Sequence, residues 1–436
     1  MLRSTVALIA LPAALSAQVS DTLAAHPIAL RDAVSLAEQH GLAAIQARGQ
    51  IRAAESGVRS AKGALLPSLN ISLGQVNQSG QRLDAQGRLV PYLASQPWTY
   101  STGLTSTLNL FDGGRRLNEV KRARYDVGAA EANEVTQKYN VALQVKTQYY
   151  TILAAREAEA AAQAQLQQAQ QQLTASIART RAGVATLSDS LRSVISVGNA
   201  QLALITARNN LRVGSAALTR LVGAESLITA QPSDTLDRGL APMDSASLAA
   251  LLDEGPLVRQ AEAQLASARA AVRSSKTSYL PTVDLTYSRS GNGFNRSYGF
   301  SGDPLAYTNN FSVRLAYALF NNFQREDALT RASVQSDLAE ATVRDARLGA
   351  QQTLAQQLGA VRTAQQRIVI QQASVDAARE DLRVQQQRYA LGASTLLDVL
   401  TSQSTLDAAR SALIQARLDI RVARAQLEAL VGRDLP

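Results

Sequence analysis

Two short motifs in this chain of 436 residues pair a hydroxyl side chain with a carboxylate three positions later. Thr186 precedes Asp189, and Thr395 precedes Asp398. This spacing is that of a capping box, in which the two residues accept hydrogen bonds from each other's backbone N–H groups at the start of a helix. The motifs therefore predict two helix starts, each of which carries one acidic residue.

Residue types that support catalysis are scarce in the sequence. The chain has no cysteine, and its two histidines are His26 and His40, so we predict no disulfide and no His-based zinc site. No Ser-His-Asp set can be proposed from two N-terminal histidines. The sequence also has no glycine-rich loop ending in Lys-Ser or Lys-Thr, which would cradle the phosphates of a nucleotide. We therefore expect no enzyme, no cofactor and no bound metal.

The net charge of +9 and the pI near 9.9 would suit nucleic-acid binding in a cytosolic protein. The N-terminus indicates export instead, because Arg3 is followed by the apolar residues 6–15 and then by two small residues. That order is typical of a signal peptide, which we place at residues 1–17. The arginines are spread along predicted helices, so we interpret them as solvated helix faces and expect no nucleic-acid partner. No later segment has the roughly 20 uncharged apolar residues of a membrane-spanning helix.

The chain contains an internal duplication. The matching positions, each pair 209 residues apart, are Leu110-Phe111 with Leu319-Phe320, Gly183 with Gly392, Asp189 with Asp398, and Val222-Gly223 with Val431-Gly432. Residues 113–231 and 305–435 contain no proline, as expected where a proline would break a helix. The sequence thus predicts one largely helical unit that is present twice.

Within the proline-free segments the apolar residues follow a heptad. Large residues recur every seven positions at Val197, Leu204, Leu211 and Leu218, and again at Leu406, Leu413, Ile420 and Leu427. Mostly small residues occupy the complementary positions, Ala200, Ala207, Gly214 and Leu221 in one copy and Ala409, Ala416, Ala423 and Leu430 in the other. This pattern predicts long helices packed as coiled coils, with an ordinary amphipathic bundle as the alternative.

Between the helical segments the apolar period changes to two, which predicts strands. The alternating apolar residues are Leu69, Ile71 and Leu73; Leu104, Leu108 and Leu110; Val283, Leu285 and Tyr287; and Phe311, Val313, Leu315, Tyr317 and Leu319. All six phenylalanines and the one tryptophan lie near these four segments, as in the aromatic girdles of membrane strands. We interpret the segments as membrane strands; a soluble sheet with an aromatic core is the alternative.

Four strands in one chain leave two open edges, and unpaired strand edges are not stable in hydrocarbon. Membrane barrels made by a single chain begin at about eight strands. We therefore expect several copies of the chain to complete one barrel, and this argument permits two, three or four copies.

The chain resembles the TolC-like outer-membrane efflux family over nearly the whole mature length. The residues that carry the resemblance are IALRDAV at 28–34, LLPSL at 65–69, LFDGGRR at 110–116, and RYALG at 388–392 together with Asp398. The implied fold is mainly α with a small membrane β-barrel part, built from a duplicated helix-strand-strand-helix unit. In that fold the long helices form an α-helical barrel, and a homotrimer shares one twelve-stranded barrel, to which each subunit contributes four strands.

The resemblance also implies location, partners and function. The protein is expected in the bacterial outer membrane, surrounded by lipid and extending into the periplasm, with a periplasmic adaptor protein and an inner-membrane transporter as partners. The implied function is that of a channel subunit of a tripartite efflux pump or type I secretion system, a passive, gated export conduit driven by the transporter. The alternative is a periplasmic coiled-coil adaptor or structural protein, which accounts for the heptads but not for the strands.

The resemblance assigns roles to residues near the two helical turns. It maps the periplasmic gate onto Asp189, Asp398 and Tyr389, although the two aspartates also have the simpler interpretation of helix caps. The expected adaptor-docking tips are Gly183, Val184, Ala185 and Thr186 in the first copy and Gly392, Ala393, Ser394 and Thr395 in the second. Ser394 stands where other members of the family have a gating arginine, so we do not expect the same salt bridge.

Asp112, Gly113 and Gly114 form a predicted strand-to-helix turn. Asp112 is placed to cap a helix that begins at Gly113, and two glycines ease the change of direction. Asn321-Asn322 take this place in the second copy.

The predicted organisation has three parts after the signal peptide. The first repeat covers 18–222, with a helix, two strands near 67–78 and 100–112, a long helix at 113–181 and a further helix at 186–222. A connector at 223–247 leads to the second repeat at 248–436, with a helix, two strands near 281–290 and 308–320, a long helix at 322–390 and a helix at 395–431.

Overall fold

The computed structural model describes residues 25–77, 80–91, 98–236, 245–295, 298 and 305–435. The predicted signal peptide at 1–17 lies outside these residues. Within the described ranges, none of the helices combines the length and the apolar character needed to cross a membrane.

Two very long helices dominate the secondary structure, each followed by a shorter one. The helices are α1 (Leu30–His40), α2 (Leu42–Gly63), α3 (Arg115–Arg181), α4 (Leu187–Val222), α5 (Ser245–Leu251), α6 (Pro256–Lys276), α7 (Gln324–Ala390) and α8 (Leu396–Val431). The strands are β1 (His26–Ile28), β2 (Ser68–Asn77), β3 (Gln81–Leu83), β4 (Leu89–Pro91), β5 (Trp98–Phe111), β6 (Ile228–Ala230), β7 (Thr282–Asn295) and β8 (Ala306–Ala316). Because α3 and α7 each have 67 residues, and α4 and α8 each have 36, the lengths repeat as closely as the sequence does.

The chain divides into two compact units. The first unit comprises Met1–His40, Gln144–Arg238 and Arg367–Leu418, and the second comprises Gly41–Leu143, Gly239–Gln366 and Asp419–Pro436. The helices α3, α7 and α8 contribute residues to both units.

The core of the first unit contains the predicted heptad seam of α4 and the part of the α8 seam up to Ala416, while the α8 seam positions from Ile420 onward belong to the second unit. Leu406 and Leu413 are buried in a cluster with Val375 and Leu382 of α7, and Leu204 and Leu218 are buried on α4. Every predicted seam position on α4 and α8 is buried or half-buried, so the heptad prediction is confirmed. Full burial of one such leucine stabilises the folded state by about 1.5–3 kcal/mol.

The first unit also contains a small parallel pair of strands, β1 and β6, which the sequence did not reveal. The Tyr149 side chain of α3, which is 1% exposed, lies beside the pair. Its hydroxyl contacts Asp234 and the Ile28 carbonyl and accepts a hydrogen bond from the Gln231 N–H at 3.0 Å. Burial, together with the neighbouring Asp234, raises the pKa of Tyr149 far above its usual range, so the hydroxyl stays protonated. The connector is therefore tied to the long helix.

The second unit contains an antiparallel sheet with the strand order β2-β5-β7-β8. β2 and β8 are its two edges, and ten register pairs join β2 to β5. The helices attach at one end of this sheet, because α2 leads into β2 and α3 follows β5. We name this the helix end and the opposite end the loop end. The mainly helical fold with four long strands per chain agrees with the predicted fold class.

Candidate functional site

One face of the four-stranded sheet is apolar. The register places on this face Leu69, Ile71 and Leu73 of β2, Leu104 and Leu108 of β5, Val283, Leu285 and Tyr287 of β7, and Phe311, Val313 and Leu315 of β8. On the edge strands these side chains are exposed, Ile71 by 68% and Leu315 by 70%, whereas Leu104, Leu108, Val283 and Leu285 on the central strands are half-buried. A contiguous exposed surface of this kind marks a contact with lipid or with another protein.

The opposite face of the sheet carries hydroxyl, amide and glycine positions. It includes Asn70, Ser72 and Gly74 of β2, Ser101, Gly103, Thr105 and Thr107 of β5, Thr286, Ser288 and Ser290 of β7, and Thr308, Asn310 and Ser312 of β8. Among the described strand positions of this polar face, the charged residues are Asp284 and Arg314, which are register partners. Asn109 donates a hydrogen bond of 2.7 Å to Asp284 Oδ1. The polar face is thus suited to water, with one acidic and one basic residue at neighbouring register positions near the helix end.

Aromatic side chains lie at both ends of the sheet. At the helix end, Phe320 and Phe323 are each 68% exposed and meet edge to face with their ring centroids 5.4 Å apart. At the loop end, the Trp98 and Tyr298 rings meet at 5.3 Å. Exposed rings that border an apolar band on both sides are typical of membrane strands, because they prefer the interface between lipid and water.

The predicted strand-to-helix turn is built around Asp112, which is 5% exposed. Its carboxylate accepts hydrogen bonds from the backbone N–H groups of Gly114 at 3.1 Å and Arg116 at 3.0 Å, and it forms an ion pair of 2.9 Å with the Arg116 guanidinium. Burial favours the neutral carboxyl, but the bonds from Arg116 outweigh it and hold the pKa of Asp112 below its usual value. Helix α3 begins at Arg115, two residues later than predicted.

Gly113 and Gly114 have the positive φ angles of +68° and +83° that favour glycine. In the second copy, Asn322 and Phe323 occupy the same positions with φ angles of +55° and +61°. The side-chain cap expected from Asn321 is not formed, because its Oδ1 is buried without a hydrogen-bond partner in the described structure. The backbone carbonyl of Asn321 accepts a hydrogen bond from the Gln324 N–H instead, at 3.1 Å.

Both predicted capping boxes are present at the helical turns of the first unit. Asp189 N–H donates to Thr186 Oγ1 at 3.2 Å, and Thr186 N–H donates to Asp189 Oδ2 at 3.1 Å. Thr395 and Asp398 repeat the arrangement at 3.3 and 2.8 Å. The N–H and hydroxyl of Thr395 lower the pKa of Asp398, so this carboxylate is ionised at neutral pH. The helix-capping role of both aspartates is therefore confirmed.

Tyr389 lies near these turns but is directed into the helical core, where it is 9% exposed. The Arg179 guanidinium lies 4.4 Å from the centre of its ring and donates a hydrogen bond of 2.8 Å to the Tyr389 carbonyl. The phenol oxygen is buried and has no hydrogen-bond partner within the described residues, and burial raises the pKa of Tyr389. We name the contact between Arg179 and Tyr389 the tip clamp.

Sequence reasoning missed Arg179, although the duplication held a signal for it. Arg179 stands 209 residues before Arg388, so each copy carries an arginine four residues before its turn glycine, Gly183 or Gly392. These glycines have φ angles of +73° and +75°. The predicted docking residues lie on the two turns. Most of them are exposed, including Val184 at 66%, and Ser394 is half-buried where its hydroxyl donates to the Gln385 carbonyl.

Candidate metal ligands are not grouped in the described part of the chain: no three His, Asp or Glu side chains there are placed to hold an ion. The features that stand out are a sheet with one apolar and one polar face, aromatic borders, two unpaired edges and long coiled helices. Together they define a subunit of a membrane channel.

The family model described as outer membrane efflux protein matches residues 33–224 and 248–433. The chain therefore belongs to the outer membrane efflux protein family, and its location is the outer membrane.

Curated relatives and solved structures agree with this assignment. The pyoverdine export outer membrane protein OpmQ of Pseudomonas aeruginosa is 28% identical over 399 residues, which cover 88% of this chain and 79% of OpmQ. The outer membrane efflux protein BepC of Brucella suis is 26% identical and covers 88% of this chain and 81% of its own length. The fold is similar to that of the Campylobacter jejuni CmeC outer membrane channel, with a TM-score of 0.76 at 16% identity, covering 92% of this chain and 85% of CmeC.

Proposed function

We propose that this chain is one subunit of a homotrimeric channel that conducts exported molecules passively through the outer membrane. The proposal rests on the four-stranded sheet, which has one apolar face, one polar face and two open edges. Its apolar face suits lipid, its polar face suits a water-filled passage, and each unpaired N–H or C=O at an edge would cost several kcal/mol in hydrocarbon. Three copies of the four-stranded sheet would pair all edges in a barrel of twelve strands.

The energy for export comes, in this proposal, from an inner-membrane transporter that a periplasmic adaptor connects to the channel, and the chain itself is not an enzyme. The names of the relatives support this function, since OpmQ is named for pyoverdine export and BepC for efflux. We propose the same division into two repeats, 18–222 and 248–436, joined by the connector 223–247. The two family matches support that division.

The decisive experiment combines membrane fractionation with reconstitution. We expect the mature protein in the outer-membrane fraction, a mass of three chains in detergent, and ion conductance when it is added to planar bilayers. Recovery as a monomer in the soluble periplasm would contradict the channel function. That result is the one expected of a periplasmic coiled-coil adaptor or structural protein, which the family assignment and the four-stranded sheet disfavour.

The gate is proposed at the turns that carry Asp189 and Asp398, with Tyr389 beside them. Because both aspartates already cap helices, a change to alanine would remove a cap as well as a charge. We therefore propose asparagine, which can still accept the capping bond, as the test. Single-channel recordings of the Asp189→Asn/Asp398→Asn variant should show reduced cation preference. A conductance and a reversal potential identical to those of the parent would remove these residues from the gate.

Adaptor docking is proposed at the exposed turns, residues 183–186 and 392–395. Small side chains there allow another helical tip to approach closely. We expect Gly392→Leu to weaken crosslinking to the adaptor, but its φ of +75° also strains any residue other than glycine. Ala393→Leu places the same leucine side chain one residue later, where the backbone has no positive φ angle. Unchanged crosslinking in the Ala393→Leu variant would contradict docking at this turn.

A further inference from the structure

Arg289 is the one charged residue among the described strand positions of the apolar face. On a lipid-facing surface, an arginine costs about 2–4 kcal/mol at the bilayer midplane and close to zero near the interface. The apolar run on β8 extends from Leu315 to Phe311, and the next residue of that face is Asn309, the register partner of Arg289. The guanidinium therefore lies where the apolar run of β7 and β8 ends, toward the loop end of the sheet; on β2 the apolar run extends one position further, to Leu73.

The position of Arg289 is set by an aromatic neighbour. Its guanidinium lies 4.5 Å from the centre of the Tyr307 ring. That ring lies across Gly291, where an added Cβ would be only 2.7 Å from Tyr307 Cε1. Because Gly291 has no side chain, the Tyr307 ring can occupy the space above it, and this ring holds the Arg289 guanidinium on the surface of the sheet. Stacking of this kind reduces the freedom that an exposed arginine would lose on binding an anion.

A second donor lies beside the guanidinium. The Tyr287 hydroxyl donates to Asn309 Oδ1 at 3.2 Å, and this bond leaves the Nδ2 donors of Asn309 for another partner. Arg289, Tyr307 and Asn309 together offer hydrogen-bond donors of both charged and neutral type. The described strand positions of the apolar face include no carboxylate, so the chemistry of the cluster selects an anion.

We propose that Arg289, Tyr307 and Asn309 bind the phosphate of an outer-leaflet lipid. The inference rests on the proposed function, because it requires the apolar face to be surrounded by lipid. An arginine fork matches the oxygens of a phosphate, and at the border of an apolar band the available phosphates are those of lipid headgroups. The adjoining apolar side chains, including Phe311 and Val313, then contact the acyl chains of the same lipid.

The test measures binding of diphosphoryl lipid A to the detergent-purified assembly by native mass spectrometry. We expect Arg289→Gln to weaken binding about tenfold or more, which corresponds to the loss of one charge-assisted hydrogen bond. Arg314→Gln is the matched control: it removes an equal charge from the neighbouring strand but on the polar face, and it should leave lipid A binding unchanged. Tyr307→Leu, which keeps an apolar side chain but loses the stacking, should give an intermediate loss.

Any of three results would overturn the site. Arg289→Gln could bind lipid A as tightly as the parent, or Arg314→Gln could lose as much lipid A binding as Arg289→Gln. The third result is full displacement of lipid A by inorganic phosphate, which would show a site for free anions. The same preparations are added to planar bilayers. Channels from the Arg289→Gln variant together with unchanged lipid A binding would reject the site alone. Absence of channels from the parent would reject the proposed function instead.

Discussion

Replacement of Arg179 by glutamine tests whether the tip clamp holds the channel closed. The change removes a hydrogen bond of 2.8 Å from a charged donor to the Tyr389 carbonyl and the contact of the guanidinium with the Tyr389 ring at 4.4 Å. The hydrogen bond is worth about 1.5–3 kcal/mol and the ring contact about 0.5–2 kcal/mol.

Part of this energy is recovered in the variant. Arg179 Nε is buried without a hydrogen-bond partner among the described atoms, so its removal relieves a desolvation cost, and glutamine can still donate one weaker bond. We expect the variant to lose about 2 kcal/mol of stabilisation of the clamped state, which shifts the equilibrium between the clamped and unclamped states about thirtyfold. If the clamp is present only in the closed state, Arg179→Gln should raise the open probability by about that factor.

The assay is single-channel recording of the parent and of variants in planar bilayers. Arg181→Gln is the matched control, because it removes an exposed arginine two residues further along the same helix. Tyr389→Phe keeps the ring and removes only a hydroxyl that has no hydrogen-bond partner among the residues that the structure describes, so its open probability should equal that of the parent. An unchanged open probability in Arg179→Gln, or an equal rise in Arg181→Gln, would refute the clamp.

Three further predictions follow from the sheet, the helices and the turn. In planar bilayers, Asp284→Asn should shift the reversal potential toward anion preference, and Arg314→Gln should shift it toward cation preference. Shifts of the same sign in the two variants would contradict the assignment of the polar face to the water-filled passage. Burial raises the pKa of Asp407, so the folded state loses stability as the pH rises through that pKa. Because asparagine carries no charge, Asp407→Asn should raise the melting temperature at pH 7 more than at pH 4. An equal gain in melting temperature at both pH values would contradict this prediction. Gly113→Ala should destabilise the assembly by about 2–4 kcal/mol in a denaturant titration, since its φ is +68° and its Cβ would lie 2.9 Å from a backbone oxygen. Gly114→Ala, whose Cβ meets no atom within 4 Å, should cost less, and equal losses would count against the steric argument.

Periodic patterns in the sequence predicted most of the fold. The heptad on α8 predicted that residues such as Leu406 and Leu427 face inward, and the structure buries both. Alternation on β7 and β8 likewise predicted which residues share a face, because a strand turns each successive side chain to the opposite side. The duplication then predicted the order of the elements, because the helices and strands of the first copy were expected in the same order in the second.

Contacts between distant segments left no such pattern. The pairing of β1 with β6 joins two strands of three residues whose partners are 202 positions apart along the chain. In the sequence, Tyr149 is indistinguishable from the other apolar residues of a long helix. The positive φ angles of Asn322 and Phe323 were also not foreseen, because only their alignment with two glycines indicates them. The tip clamp was missed because Arg179 and Tyr389 come from different copies of the repeat.

The free edges of the sheet have a consequence for biogenesis. β2 has 10 residues and β8 has 11, so the first strand of one subunit and the last strand of another can pair along almost their full length. Until that pairing occurs, a newly exported chain carries two templates for indiscriminate strand addition. In the proposed homotrimer, closure of the barrel requires separate chains to meet, so it slows steeply on dilution, and any delay lengthens the time during which the edges are exposed to aggregation. Folding of this sheet is therefore inseparable from the supply of sister chains at the membrane.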